Sequence, residues 1–264
     1  MNQEECLEMT DSQSDSKIKN LDMALRQFAK SLEPFIEVMA RISQAMAPYI
    51  ERLAKYHKFI DSVSATGWLP YHTVSIDYVE ECGDDVAFLD DRLTSFYENN
   101  WEGIRQDIET RLDRYHISED AKATFREALS AHGAGHYRCV CRVLFPEIER
   151  EYRIHFFEDN AGCISSKKML EKLTSRGELG NFLPREAYGW ILFGRLVHHL
   201  YERVDDCNRA QYEKDYVPNR HASIHGLVPY ATPKHSMNML IMADYIFQIL
   251  TLTSNLPSTQ QERD

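Results

Sequence analysis

The chain has 264 residues, 43% of them hydrophobic, with only 11 Gly and 9 Pro. That is enough apolar material for a sizeable core and too few chain breakers for a many-turned β architecture, so the sequence reads as mainly α-helical. The net charge of -11 excludes a protein that coats nucleic acid without sequence preference, because binding to the phosphate backbone is driven by Lys and Arg; it leaves room for one local cationic site.

In chain order, the first sixteen residues carry Glu4, Glu5, Glu8, Asp11 and Asp15 and no Lys or Arg, which predicts a solvated, disordered acidic leader over 1–16. No basic region leads into an apolar run, so no signal peptide is expected. No stretch approaches the roughly eighteen uninterrupted apolar residues of a membrane span. Cys6, Cys82, Cys139, Cys141, Cys163 and Cys207 form no CxxC pair. Such scattered thiols predict a reducing, cytoplasmic setting and no metal site.

Residues 17–64 hold a heptad pattern: Leu21, Leu25, Phe28, Leu32, Phe35, Met39, Ile42, Met46, Tyr49, Leu53, Tyr56 and Ile60 alternate spacings of four and three. The run predicts a long amphipathic, coiled-coil-like helical arm of roughly 60 Å. Its narrow seam wants a partner helix, from another subunit or from the body of the same chain. Pro34 and Pro48 lie inside it, and each removes a backbone donor, so a kink or split is expected.

Residues 65–117 read as a connector followed by helices, with Gly67 and Pro70 as punctuation and a helical pattern over about 84–114 broken near Asn99–Asn100. Ser118 suits an N-cap for a helix ending near His132. The segment His136 to Phe157 carries an apolar face of Tyr137, Val140, Leu144, Ile148 and Tyr152, with Pro146 inside it. Further helices are expected over 165–175, 185–204 and 235–252, with a polar stretch at 205–217 and a disordered tail at 255–264. There is no phosphate loop, no GxSxG and no HExxH, so neither a nucleotide-driven enzyme nor a serine hydrolase is indicated, and no cofactor or metal is expected.

The stretch 217–226 reads VPNRHASIHG. Pro218 and Asn219 can start a helical turn and Gly226 can end one. Arg220 and His225 are five apart, hence about 140° apart round a straight helix, yet both can reach one cleft at a helix edge or across a symmetric interface. Arginine clamps phosphate with a planar fork of donors. Histidine titrates near neutrality and exchanges protons with a ribose hydroxyl or a leaving oxygen. The pair suits metal-independent cleavage of RNA by internal 2'-OH attack, with Arg220 meeting the charge on phosphorus.

The order Arg220-His221-Ala222-Ser223-Ile224-His225 resembles the motif of the HEPN superfamily: Arg, a polar residue, three more residues, then His. The resemblance covers roughly 118–252 and leaves the N-terminal arm outside it. It implies a compact HEPN-like helical bundle over 118–254, with Arg220 and His225 as the active pair and His221 in support. It also implies a homodimer that brings two motifs together, RNA as substrate, and a role such as a toxin or phage-defence effector held by an antitoxin. Members that have lost activity serve as binding or assembly modules. An acidic residue from an earlier helix often braces the arginine; Glu149 is the candidate here, although Arg153, four residues on, is an equally near partner for it.

Other candidates are weaker. His198 and His199 are adjacent and face different sides of a helix, so one of them is more simply a packed core histidine. Tyr230 and Lys234 can stack on or pair with RNA, though a turn tyrosine beside Pro229 is the plainer reading. A second class of function stays open: a non-catalytic helical interaction or assembly module whose arm recruits a protein partner.

Overall fold

The computed structural model describes residues 3–157 and 187–254, and among them every regular element is helical. The expected helix at 165–175 and the tail at 255–264 lie outside the described residues. The chain divides into two compact units, 1–55 and 56–264.

The first unit is a single helix. Helix α1, Gln3–Ala65, takes in the acidic leader and the heptad run, and both prolines sit inside the assigned helix without ending it. The seam positions Phe35, Met39, Ile42, Met46, Tyr49 and Leu53 are exposed. The last turns of α1 belong to the second unit, where Phe59, Ile60 and Val63 are buried.

The second unit is a helical assembly that includes the region read as a connector. Helix α2 (Ile76–Cys82) starts at Ser75, whose side chain accepts from the Tyr78 amide. Helix α3 (Val86–Asn99) is capped by Asp85 and stops at Asn100, from which α4 (Trp101–Leu112) departs; this is the break expected from the paired asparagines. Helix α5 (Glu119–Gly133) begins on Ser118, whose Oγ accepts from the Ala121 amide at 3.1 Å. Behind that cap Glu151, buried, accepts from the Ser118 amide at 3.1 Å and pairs with its hydroxyl.

Helix α6 (Tyr137–Phe157) runs through Pro146. Helix α7 (Ala187–Arg195) passes into a π-helical turn, Leu196–Leu200. The polar stretch that follows contains a short helix, α8 (Arg209–Lys214), and the motif forms another, α9 (Arg220–Ile224).

Helix α10 (Pro233–Ser254) is the centre of the unit. From Ser236 to Phe247 all its residues are buried, and a helix apolar all round belongs in a core rather than on a surface. It packs most extensively on α6, which packs equally on α5. Its buried polar residues, Lys234, Ser236, Asn238 and Asp244, all have partners. Asn238 accepts from the Leu69 amide at 3.0 Å and donates to the carbonyls of Gly67 and Tyr216. Asp244, fully buried, accepts from Tyr71 at 2.8 Å, Tyr115 at 2.6 Å and Arg111 at 2.7 and 3.1 Å.

Burial also fixes how the unit responds to acid. The imidazoles of His132 and His235 are pushed down to about 4 from 6.5, chiefly because a charge there loses its water. A base whose folded value lies below its unfolded value binds fewer protons when folded, so each group removes stability as pH falls from about 6.5 towards 4. Urea unfolding at pH 7.5, 5.5 and 4.5 is expected to show a falling midpoint, and His132→Gln should flatten that slope.

Candidate functional site

The motif is set in place by Asn219. Its Oδ1 accepts from the Ala222 amide at 2.9 Å, capping α9, while its Nδ2 donates to the carbonyls of His199 at 2.6 Å and Glu202 at 3.0 Å. Asn219 is fully buried, so one amide both starts the helix and ties it to the π-helical turn. His199 adds a second tie: it is buried, its Nε2 donates to the Val217 carbonyl at 2.7 Å, and burial lowers its proton affinity. His199 is thus a packed histidine beside the motif, and His198 is exposed.

Asn219→Ala removes a cap and strips the buried carbonyl of His199 and the half-buried one of Glu202 of their donor. It is expected to cost about 2–4 kcal/mol, the sum of a lost cap and an unsatisfied group, read as a fall in the thermal midpoint.

Helix α9 is a little over one turn long. His225 is its C-cap, with φ -84 and ψ 0, and Gly226 at φ 70 turns the chain away. His221 and His225, one turn apart, have ring centroids 4.5 Å apart at 47°. His225 is exposed. The Nδ1 of His221 is shielded from solvent and meets no hydrogen-bond partner among the described residues. The proton affinity of His221 is lowered, first by desolvation and then by His225, Arg203 and Arg220, with Asp205 acting in the opposite sense.

Arg220 turns to α6. Its Nε lies 2.9 Å from Glu149 Oε1 and its Nη2 donates to Oε2 at 3.1 Å. The carboxylate therefore faces the Nε–Nη2 edge of the guanidinium. The Nη1 donors make no hydrogen bond among the described residues, and the side chain is 32% exposed. Neighbouring Glu147 pairs instead with Arg150 at 2.9 Å.

The structure thus brings Arg220, His221, His225 and Glu149 to one region. It does not bring Lys234 there as a free cation: Lys234 is buried, paired with Asp90 at 2.7 Å and with the Thr66 carbonyl. Tyr230 is buried at a positive φ of 41, the turn tyrosine of the plainer reading. Asn219 as the start of the turn and one packed histidine of the 198–199 pair were legible in the sequence; their partners were not, because these are backbone carbonyls, which leave no pattern in side-chain spacing.

Among the described residues no group of three or more His, Cys, Asp or Glu is placed to hold a metal ion, and no helix is long and apolar enough to cross a membrane. No family model, no curated protein and no solved structure matches this chain.

Proposed function

We propose that Arg220, His221, His225 and Glu149 form a HEPN-like site for metal-independent cleavage of RNA. The observation that carries this is the pairing of two imidazoles 4.5 Å apart beside an arginine held from behind by a carboxylate. One imidazole takes the ribose 2'-OH proton, the 2'-oxygen attacks phosphorus, and the 5'-oxygen leaves with a proton from the other imidazole. His221, whose proton affinity is lowered, suits the neutral role; exposed His225 suits the group that meets the RNA first. Arg220, oriented by Glu149, offers its Nη1 donors to the phosphoryl oxygens. Homodimerisation would set two such sites together.

The test incubates purified wild type and His225→Ala with cellular RNA in excess chelator. Products ending in a 2',3'-cyclic phosphate from wild type alone are the expected result; equal cleavage, or none from either, removes the reading.

A second reading is a helical assembly module, and two observations favour it. Glu149 already answers the charge of Arg220 within one chain. The heptad seam of α1 is exposed from Phe35 to Leu53, a long apolar stripe of the kind that marks a contact surface. A wild type that cleaves nothing yet forms a defined oligomer in light scattering, lost on Ile42→Glu and Tyr49→Glu, would establish it.

A further inference from the structure

A cavity of about 240 Å³ opens between α3, α4, α5, α6 and α10, and it has no part in the site above. Its walls are aromatic: Trp68, Tyr97, Trp101, His132 and Tyr137. Glu98 contributes the carboxylate. Pockets for drug-sized molecules run from about 300 Å³ upwards, so this one suits a head-group or a single side chain.

The rings are fixed in advance. Trp68 and Tyr97 are buried and stacked, with centroids 4.5 Å apart at 22°. The Trp68 indole donates to Asp90 at 2.9 Å, and the Tyr97 hydroxyl meets Thr73 at 3.0 Å. His132 lies between Trp101 at 4.3 Å and Tyr137 at 5.4 Å, with its Nδ1 2.8 Å from the Ser236 hydroxyl. Rings held this way lose little entropy when a ligand enters.

Charge selects the ligand. No Lys or Arg lines the cavity, and desolvation keeps His132 neutral at ordinary pH. Glu98 is shared with an adjoining groove that is also lined by Glu102 and Asp107. A phosphate or carboxylate is repelled from such a mouth, and a cation is drawn to it. The fold already uses the pairing next door, where the Lys234 ammonium sits 5.2 Å from the Trp68 ring and 4.1 Å from that of Tyr216.

The polar atoms narrow the choice further. An ammonium with N–H groups needs acceptors, as Lys234 finds in Asp90 and the Thr66 carbonyl. In this cavity the acceptors, the Glu98 carboxylate and the Thr94 hydroxyl, lie on exposed or half-exposed residues, while the buried polar atom without a partner, the Trp101 Nε1–H, is a donor. A fully methylated ammonium has no N–H to satisfy and presents its charge on an apolar shell, which is what aromatic walls hold well. We propose that this cavity binds a quaternary ammonium group, with the rings of Trp68, Tyr97, Trp101 and Tyr137 surrounding it and Glu98 balancing its charge. The group can arrive on a free choline-like molecule or on a trimethylated lysine of a partner.

Proton NMR of the full chain distinguishes these sources. Tetramethylammonium, choline and Nε-trimethyl-lysine are titrated in turn, beside choline's uncharged isostere, in which carbon replaces nitrogen. The expected result is a saturable upfield shift of the N-methyl signal from ring currents, with the isostere bound about tenfold more weakly. Glu98 is exposed, so Glu98→Gln leaves the fold intact; it should weaken binding about threefold to tenfold. In Gly133→Ala the added methyl would meet the Trp101 indole nitrogen at 2.9 Å, and binding should be lost. Saturation by choline alone assigns a small molecule, and saturation by trimethyl-lysine assigns a protein partner. Equal binding of the isostere, unchanged binding in Glu98→Gln, or no saturable shift with any of the three cations overturns the proposal.

Discussion

Asp244→Ala is expected to lower the unfolding free energy by about 3–5 kcal/mol, which for a unit of this size moves the thermal midpoint down by roughly 6–20 °C. Asp244 sits with no exposed surface in the middle of α10 and holds the Tyr71 and Tyr115 hydroxyls and two donors of Arg111. Its removal leaves a guanidinium facing a void where its counter-charge stood. The Arg111 side chain is 24% exposed, so water relieves part of that loss and the lower half of the range is favoured. Both tyrosines are held protonated, first by burial and then by the neighbouring carboxylate charge, so they serve as donors over the whole neutral range. Tyr71→Phe and Tyr115→Phe should each cost about 1.5–3 kcal/mol, as a hydrogen bond to a charged group does. The three losses should not add, because they share one acceptor. Urea unfolding followed by circular dichroism measures all of this. A loss under about 1 kcal/mol for Asp244→Ala would show that the neighbours find other partners.

This network marks the limit of what the sequence displays. A single aspartate in the apolar run of α10 is visible to any reader, but its partners lie 129 to 173 residues away in the chain, and no local pattern connects them. Local signals did better. The Asn99–Asn100 break, the Ser118 cap and the last helix were all legible, because each is written in residues that touch one another along the chain. Helices α2 and α8 were missed inside stretches read as connector and polar loop. They are seven and six residues long, too short for a periodic pattern to stand out against caps such as Ser75. The second unit begins at residue 56, well before the boundary at 118 set by the resemblance, because Phe59, Ile60, Trp68 and Leu69 are core residues that precede the recognisable motif. In α6, Pro146 sits within the helix: packing on α5 and α10 outweighs one missing hydrogen bond.

The motif was legible as residue types and spacing, but its geometry was not. Five-residue spacing on a straight helix separates Arg220 from His225. His225 caps α9 and lies beside His221 one turn back, the ordinary neighbourhood of residues four apart on a helix. Glu149 stands 71 residues from Arg220. The sequence named Glu149 alone, from its place in the run FPEIEREYR of α6, which also carries Glu147 and Glu151. The structure sorts them by partner: Glu147 goes to Arg150, Glu151 to Ser118, and Glu149 to Arg220.

The second large effect concerns that pair. On the cleavage reading, His225→Ala should lower the rate by about 10²–10⁴-fold, the contribution of one proton-transfer group. Because His225 is exposed at a helix end, its loss should change stability by no more than about 0.5 kcal/mol. Arg220→Lys keeps the charge but gives up the fork, so it should lose most of the rate while Arg220→Ala loses all of it. Glu149→Gln separates orientation from chemistry: the arginine keeps a neutral neighbour, and the rate should fall less than in Arg220→Lys. The pH profile supplies the sign. A group acting as base must be unprotonated, and the proton affinity of His221 is lowered from 6.5, so the acid limb should lie below pH 6.5. In His221→Ala that limb should disappear or move, a change that merely loosening α9 would not produce. Wild-type cleavage with a flat acid side would remove His221 from the proton transfers. A His225→Ala protein as active as wild type would move the role of this surface from RNA to protein contacts, leaving Glu149 and Arg220 as a structural ion pair and the α1 seam as the feature that needs a partner.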